Sequence, residues 1–266
     1  MKIDFQETTK DLAVRIDIHS KFGARDIDRW MLDLIKLQPE SKILDVGCGS
    51  GKQCFSYWDE LSGKADITGG DVSGDLLSQA KAENDRRNAH IQFDYLDFNQ
   101  PFQYANDVFD FVSCCFAIYY AENIPQTIEE MHRITKPGGR LFTTGPMPDN
   151  KKLFYEIINE ATGKPIPPMP GSSRYSTEIL STVKSFYSSV DLHIFENPLV
   201  FDSVEPYMAY TRASMSEDRK LWSSLFIEKD DFEKIMEKIE EKAKIRLDKD
   251  YKLVMTKVVG GILATK

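Results

Sequence analysis

The chain has 266 residues, of which 41% are hydrophobic, and 34 Lys and Arg stand against 42 Asp and Glu for a formal net charge of −8. That apolar content is enough for a full core, as one large domain or a domain with an added cap, and it excludes extended disorder. The acidic balance argues against a nucleic-acid partner, because gripping a phosphate backbone takes clustered Lys and Arg.

The opening residues, MKIDFQETTKDLAV, lack the apolar run of a secretory signal, and no later run reaches the length of a membrane span. A cytoplasmic protein with no membrane partner is expected. From Asp11 to Leu37, charged and apolar residues alternate at helical spacing, with a break at Phe22-Gly23. The pattern predicts a helix, a glycine hinge and a second helix over Asp26 to Leu37. Such a pair fits a lid draped over a ligand, and it fits equally a packing helix that contains a glycine. His19, just before the hinge, has a neutral imidazole able to accept a proton at pH 7, or it is a surface histidine.

Residues Ile43 to Gly51 read ILDVGCGSG, an apolar strand reaching Asp45 and then a turn with glycine at 47, 49 and 51. Glycine there permits φ > 0 and lets a ligand lie against the backbone. The spacing misses G-x-G-x-x-G, because the third glycine comes one residue early. It also misses G-x-x-x-x-G-K-[ST], because Gln53 follows Lys52. Ala65 to Asp71 (ADITGGD) predicts a second strand ending in a carboxylate about 20 residues past the turn, where an acid can accept two ribose hydroxyls. Asp71 could instead cap a helix starting near Gly74.

A third strand is expected over Ile91 to Tyr95, followed by Leu96-Asp97-Phe98, and a fourth within Val108 to Tyr120 (VFDFVSCCFAIYY). Open α/β sheets bind ligands at the carboxyl ends of their strands, which puts Cys114 to Tyr120 near any chemistry. A helix over Ile124 to Ile134 is stopped by Lys136-Pro137-Gly138-Gly139, which launches a fifth strand. His132, on that helix, lies away from the strand ends.

Beyond the fifth strand, a helix is expected over Lys151 to Thr162 and an irregular proline-rich loop over Gly163 to Ser173. A capped helix follows from Tyr175 and a sixth strand over Val190 to Phe195. Between Glu205 and Asp250 at least two further helical segments are expected, near Glu205 to Thr211 and Asp230 to Arg246, before a last strand over Val258 to Thr265. The Lys-rich run Lys234 to Arg246 is interleaved with glutamates, as on a solvated helix face. Tyr175, Tyr187, Phe201, Tyr207, Met208, Tyr210 and Trp222 could line an apolar small-molecule pocket or form the core of a cap. Cys48, Cys54, Cys114 and Cys115 show no C-x-x-C pair and no histidine at zinc spacing, so no metal is expected and the four read as reduced core thiols. Cys114 and Cys115, adjacent on a strand, should point to opposite faces.

The glycine turn, the strand-end acid, the Asp97-Phe98 pair and the Lys-Pro-Gly-Gly turn, in this order, resemble the class I S-adenosylmethionine-dependent methyltransferases, in the small-molecule branch acting in ubiquinone and menaquinone biosynthesis. The resemblance covers about residues 40 to 145, with a weaker echo in the final strand. It implies an α/β fold with a doubly wound, mostly parallel, seven-stranded Rossmann-like sheet. An N-terminal helical lid (1–40), a cofactor-binding core (41–200), a late helical substrate cap (201–250) and the closing strand (251–266) are expected. It implies S-adenosylmethionine as cofactor, S-adenosylhomocysteine as product, and a binding set of Asp45, Gly47, Cys48, Gly49, Gly51, Asp71, Val72, Asp97, Phe98 and Cys114. Within that set Asp45 and the turn would hold the methionine portion, Asp71 the ribose, Asp97 the adenine amino group, and Phe98 a purine edge or face.

Tyr119 and Tyr120 would orient the acceptor, with His19 as the base. The family's Asp/Asn-Pro-Pro-aromatic run for nucleobase and amide nitrogens is replaced here by Cys114-Cys115-Phe116-Ala117. A metabolite, sugar or natural-product intermediate methylated on oxygen is therefore favoured, and a homodimer is compatible with the chain. A nicotinamide-dependent Rossmann oxidoreductase and a non-catalytic cofactor-binding partner subunit stay open as alternatives.

Overall fold

The computed structural model describes residues 9–165, 172, 174–215, 219–228 and 231–266. The proline-rich loop expected over Gly163 to Ser173 lies largely outside the described residues. Seven strands form one sheet in the order β3-β2-β1-β4-β5-β7-β6: β1 Lys42–Val46, β2 Asp66–Asp71, β3 Gln92–Tyr95, β4 Phe109–Cys115, β5 Thr135–Pro146, β6 Ser189–Phe201 and β7 Leu253–Thr265. The pairs β1–β2, β1–β4, β2–β3 and β4–β5 are parallel, and β5–β7 is antiparallel. This is the expected doubly wound α/β sheet, with the chain order reversing between β1 and β4.

The helices among the described residues are α1 Thr9–Phe22, α2 Ile27–Ile35, α3 Lys52–Glu60, α4 Gly74–Arg87, α5 Ile124–Ile134 and α6 Lys152–Thr162. A π-turn Tyr175–Ile179 runs into α7 Leu180–Phe186, and α8 Val204–Ala213, α9 Arg219–Leu225 and α10 Asp231–Asp250 follow. Local chemistry sets several ends. Ser73 Oγ accepts from the Leu76 amide to start α4, and Asn123 Oδ1 accepts from the Gln126 amide to start α5. The Lys-Pro-Gly-Gly turn belongs to β5 as a bulge. Pairing with β4 passes from Phe109–Thr135 directly to Phe111–Arg140, and Gly138 sits at φ +74. The short α9 carries no legible period and was not expected.

The chain divides into two compact units. Unit 2 comprises residues 27–147, 170–195 and 259–266, and it has a core on each face of the sheet. Leu44, Val46, Val112, Cys114 and Leu141 join Ile124, Ile128, Met131, Tyr175 and Val183 on one side. Ile43, Phe111, Cys115 and Phe142 join Met31, Ile35, Phe55 and Leu77 on the other. The period-two alternation of strands thus sends Cys114 and Cys115 into opposite cores.

Unit 1 gathers residues 1–26, 148–169 and 196–258 around a separate core of Ile18, Phe154, Ile157, Phe201, Tyr207, Tyr210, Trp222, Met236 and Met255. Two differences from the expected division follow. Residues 27–40 group with the sheet, because Met31 and Ile35 are buried there and Trp30 packs on Phe195 at 5.1 Å between ring centroids. Residues 148–169 group with the late helices, α6 packing against α10. The glycine break after α1 is present but held. Asn197 Oδ1 accepts from the amides of Ala24 and Arg25, and Asn197 Nδ2 donates to Arg25 O.

Candidate active site

In unit 2 the carboxyl ends of β1 and β2 and the loop after β3 meet around the glycine turn. All three glycines have positive φ: +70 at Gly47, +56 at Gly49 and +84 at Gly51. A side chain at Gly47 would strike Ala117 Cβ at 2.6 Å, and one at Gly51 would press on Phe55 and Phe93 at 3.0 Å. At Gly49 the nearest atom to such a side chain is Leu76 Cδ1, 3.9 Å away, an ordinary contact, so a side chain there would meet no clash. Two glycines therefore serve the packing of the turn, and the third leaves room beside exposed backbone.

The turn is tied down from β2. The amides of Gly47 and Cys48 donate to Gly70 O at 2.8 and 3.0 Å, and the Gly49 amide donates to Asp71 Oδ2 at 2.8 Å. Asp71 Oδ1 accepts from the Ser73 amide at 2.8 Å, so the acid organises the start of α4, whose cap is Ser73 itself. Each Asp71 oxygen has one amide donor and a spare lone pair, which is what two ribose hydroxyls require. Val72, next to it, is 54% exposed and offers an apolar surface.

Asp45 has a different environment. It is 1% exposed, beneath the turn; Oδ1 accepts from Ser113 Oγ at 2.6 Å and Oδ2 lies 3.8 Å from Cys54 Sγ as acceptor. Burial pushes its pKa up to about 7, against the lowering effect of the Ser113 and Cys54 hydrogen bonds. Its carboxyl group thus joins the end of β1 to Ser113 of β4 and Cys54 of α3. Ser113 and Cys54 were not expected at the site, and only their nearness to Asp45 in three dimensions reveals them.

Leu96 passes its amide to Asp71 O, Asp97 Oδ1 accepts from the Asn99 amide, and a Phe98 ring carbon lies 3.6 Å from where a Gly47 side chain would stand. Asp97 and Phe98 are thus brought to the same crevice as Asp71, with Asp97 also making the turn contact of the plainer reading. Cys114 is not oriented to it: its side chain is fully buried in the core, and burial raises its pKa well above the usual thiol value. A ligand would meet main chain at that position.

Tyr119 and Tyr120 form a 3₁₀ turn, Ile118–Tyr120, just past β4, with ring centroids 4.6 Å apart and Tyr120 71% exposed. Arg174 clamps this turn by donating to the carbonyls of Tyr119 and Ala121. His19 lies in unit 1, its ring edge-on to Tyr210 at 5.8 Å. His132 packs against Phe186 and Tyr187, and burial lowers its pKa. The aromatic residues read as a possible pocket lining are core. Tyr175 and Tyr187 are buried in unit 2, and Phe201, Tyr207, Met208, Tyr210 and Trp222 in unit 1. Tyr175 is bound in place, its hydroxyl donating to Thr143 O at 2.7 Å and accepting from the Ile262 amide.

The residues there fit an adenosyl group: no clash beside Gly49, spare acceptor capacity on Asp71, and exposed apolar surface at Val72. Comparison with known proteins points the same way. Residues 43–139 match the family described as methyltransferase domain. The chain is 29% identical over 142 residues to the ubiquinone/menaquinone biosynthesis C-methyltransferase of Geotalea daltonii, covering 51% of this chain and 60% of that protein. It is 34% identical over 119 residues to a demethylmenaquinone methyltransferase of Chlorobaculum parvum, covering 43% and 46%. The matched stretch therefore spans about half the length of these curated relatives. Among solved structures, the YcgJ protein of Bacillus subtilis superposes with a TM-score of 0.58 at 13% identity, over 90% of this chain and 97% of that one, a likeness of fold.

Proposed function

We propose that this chain, whose residues 43–139 are a methyltransferase domain of the class I, S-adenosylmethionine-dependent kind, transfers a methyl group to a small-molecule acceptor. The observation that carries the reading is the positive-φ glycine turn bound to a strand-end carboxylate that keeps acceptor capacity free. When bound, the cofactor supplies an activated sulfonium methyl. The protein's part is to hold the adenosyl portion against Gly49, to take the ribose hydroxyls on Asp71, and to keep the buried Asp45 beneath the turn. Holding reactants in line supplies about 7–11 kcal/mol of barrier reduction in favourable cases.

No helix of the described residues is long and apolar enough to cross a membrane, in keeping with a diffusible acceptor. The acceptor atom we read as oxygen, on the ground that the sequence after β4 lacks the run used for amide and nucleobase nitrogens. The Geotalea relative is named a C-methyltransferase, so carbon is the reading to set against it. Tyr120, exposed beyond β4, is the residue we assign to orienting the acceptor, and His19 is assigned the role of base.

Isothermal titration should show S-adenosylhomocysteine binding at micromolar levels and NAD not binding; binding of NAD alone would return the chain to the oxidoreductases. Incubation of the full chain with methyl-labelled cofactor and metabolite pools should give a labelled product whose fragmentation locates the methyl on oxygen, and a methyl on carbon would overturn that choice. His19→Ala should lower turnover with cofactor affinity preserved, and an unchanged rate would remove His19 from the chemistry.

A further inference from the structure

Two of the four cysteines lie together under the cofactor turn. A Cβ built on Gly69, in the middle of β2, would stand 2.9 Å from both Cys48 Sγ and Cys54 Sγ, so the sulfurs are at most twice that distance apart on one face of that glycine. Only glycine at 69 leaves room for both. Cys48 is in the turn and 8% exposed; Cys54 is in the first turn of α3, fully buried, with its thiol beside Asp45 Oδ2. The neighbouring Cys48 thiol, then burial, holds the Cys54 thiol well above its usual pKa. Gly49 and Gly51 lie between the two cysteines, giving the connecting backbone freedom that a chain of larger residues would lack.

We propose that Cys48 and Cys54 form an oxidation-sensitive dithiol, closing to an intramolecular disulfide with hydrogen peroxide as oxidant and thereby weakening the cofactor seat. Cys48, the less buried of the two, reacts first: its sulfur attacks one peroxide oxygen, the O–O bond breaks, and a sulfenic acid and one water result. Cys54 sulfur then attacks the Cys48 sulfur, the S–O bond breaks, and the Cys54 proton leaves with the departing hydroxide as a second water. Two thiols are oxidised by two electrons and one peroxide is reduced to two waters.

Bond formation demands an S–S distance of about 2.05 Å, and closing that gap draws Cys48, and with it the turn, toward α3. The Cys48 amide is bound to Gly70 O, and the next amide, Gly49, is bound to Asp71. Displacing Cys48 therefore loosens the two ties that fix the turn against the ribose acid. A bound cofactor would cover the turn and slow the first step.

The inference rests on the cofactor seat described above, and the test keeps the two separable. The full chain is treated with graded hydrogen peroxide, the bridge is mapped by peptide mass spectrometry, and S-adenosylhomocysteine affinity is measured before and after, then again after reduction with dithiothreitol. The expected result is a Cys48–Cys54 bridge with affinity weakened by at least about tenfold and restored on reduction. In Cys54→Ala the ratio of oxidised to reduced affinity should collapse toward one, whatever the variant's starting affinity. Absence of the mapped bridge, a bridge that leaves affinity unchanged, or an undiminished ratio in Cys54→Ala would each overturn the proposal. If the reduced protein failed to bind S-adenosylhomocysteine, the cofactor seat would be refuted, while the peptide map would still decide the thiol pair.

Discussion

The glycine turn of unit 2 and the aromatic cluster of unit 1 hold their polar groups in opposite ways. In the turn, the amides of Gly47, Cys48 and Gly49 are bound to β2, while each Asp71 oxygen accepts one amide and keeps a lone pair to offer. In the cluster, Trp222 is completely buried among Phe154, Phe226 and their neighbours, stacked on Phe226 at 5.5 Å, and its Nε1 has no hydrogen-bond partner among the described residues. Binding capacity on a strand-end carboxylate survives folding here, because the turn takes only one acceptor site of each oxygen. Capacity inferred from a wealth of aromatic side chains does not, because the same surface that would line a pocket also closes a core.

The comparison breaks most visibly at Trp222. As a core residue, Trp222→Ala should cost about 3–5 kcal/mol in denaturant unfolding. A loss below about 1 kcal/mol with a raised acceptor KM would make it pocket lining instead.

Next comes Asp45. Its carboxyl prefers the proton in the folded chain, so the stability this contributes is present below its ordinary value of 3.8 and is lost as pH rises through about 7. Asp45→Asn should flatten stability across that window, with an upper limit of roughly 4 kcal/mol on the change removed. A variant whose stability varied with pH as steeply as the parent's would show that the carboxylate is solvated.

Asp71→Ala removes a charged acceptor worth about 1.5–3 kcal/mol, so cofactor Kd should rise roughly 10- to 150-fold by calorimetry. Unchanged affinity would end the ribose assignment. The smallest effect on stability belongs to Gly49→Ala. An added methyl meets no clash there, so the left-handed backbone should dominate the cost, about 1–2 kcal/mol. Its cofactor affinity should nevertheless fall sharply in the same titration, and intact binding would mean that the ligand does not pass over Gly49.

Much of unit 2 was legible in advance because its signals are local. The glycines at 47, 49 and 51 take positive φ in the turn, β2 ends on Asp71, and the helix Ile124 to Ile134 has the expected bounds, although the Pro-Gly-Gly read as its stop lies within β5. Unit 1 was harder. The sixth strand was read as ending at Phe195. It continues to Phe201, because β6 is the sheet's edge strand, where a missing amide donor is tolerated. Similarly, β7 begins at Leu253, five residues before the reading from sequence. The grouping of residues 148–169 with α1 and the late helices depends on contacts between segments far apart in the chain, which no periodicity records.

By itself the sequence determined the backbone chemistry of this protein: where the turn falls, which carboxylates end the strands, and that the architecture alternates strand and helix, since these depend on the allowed φ and ψ of a few residues and on period-two and period-3.6 burial. Tertiary structure alone decided which side chains remain available. It buried Asp45 against Ser113, sent Cys114 inward, set Cys48 beside Cys54, and folded the aromatic residues into a core, because availability depends on what packs opposite, and that is a property of the assembled chain.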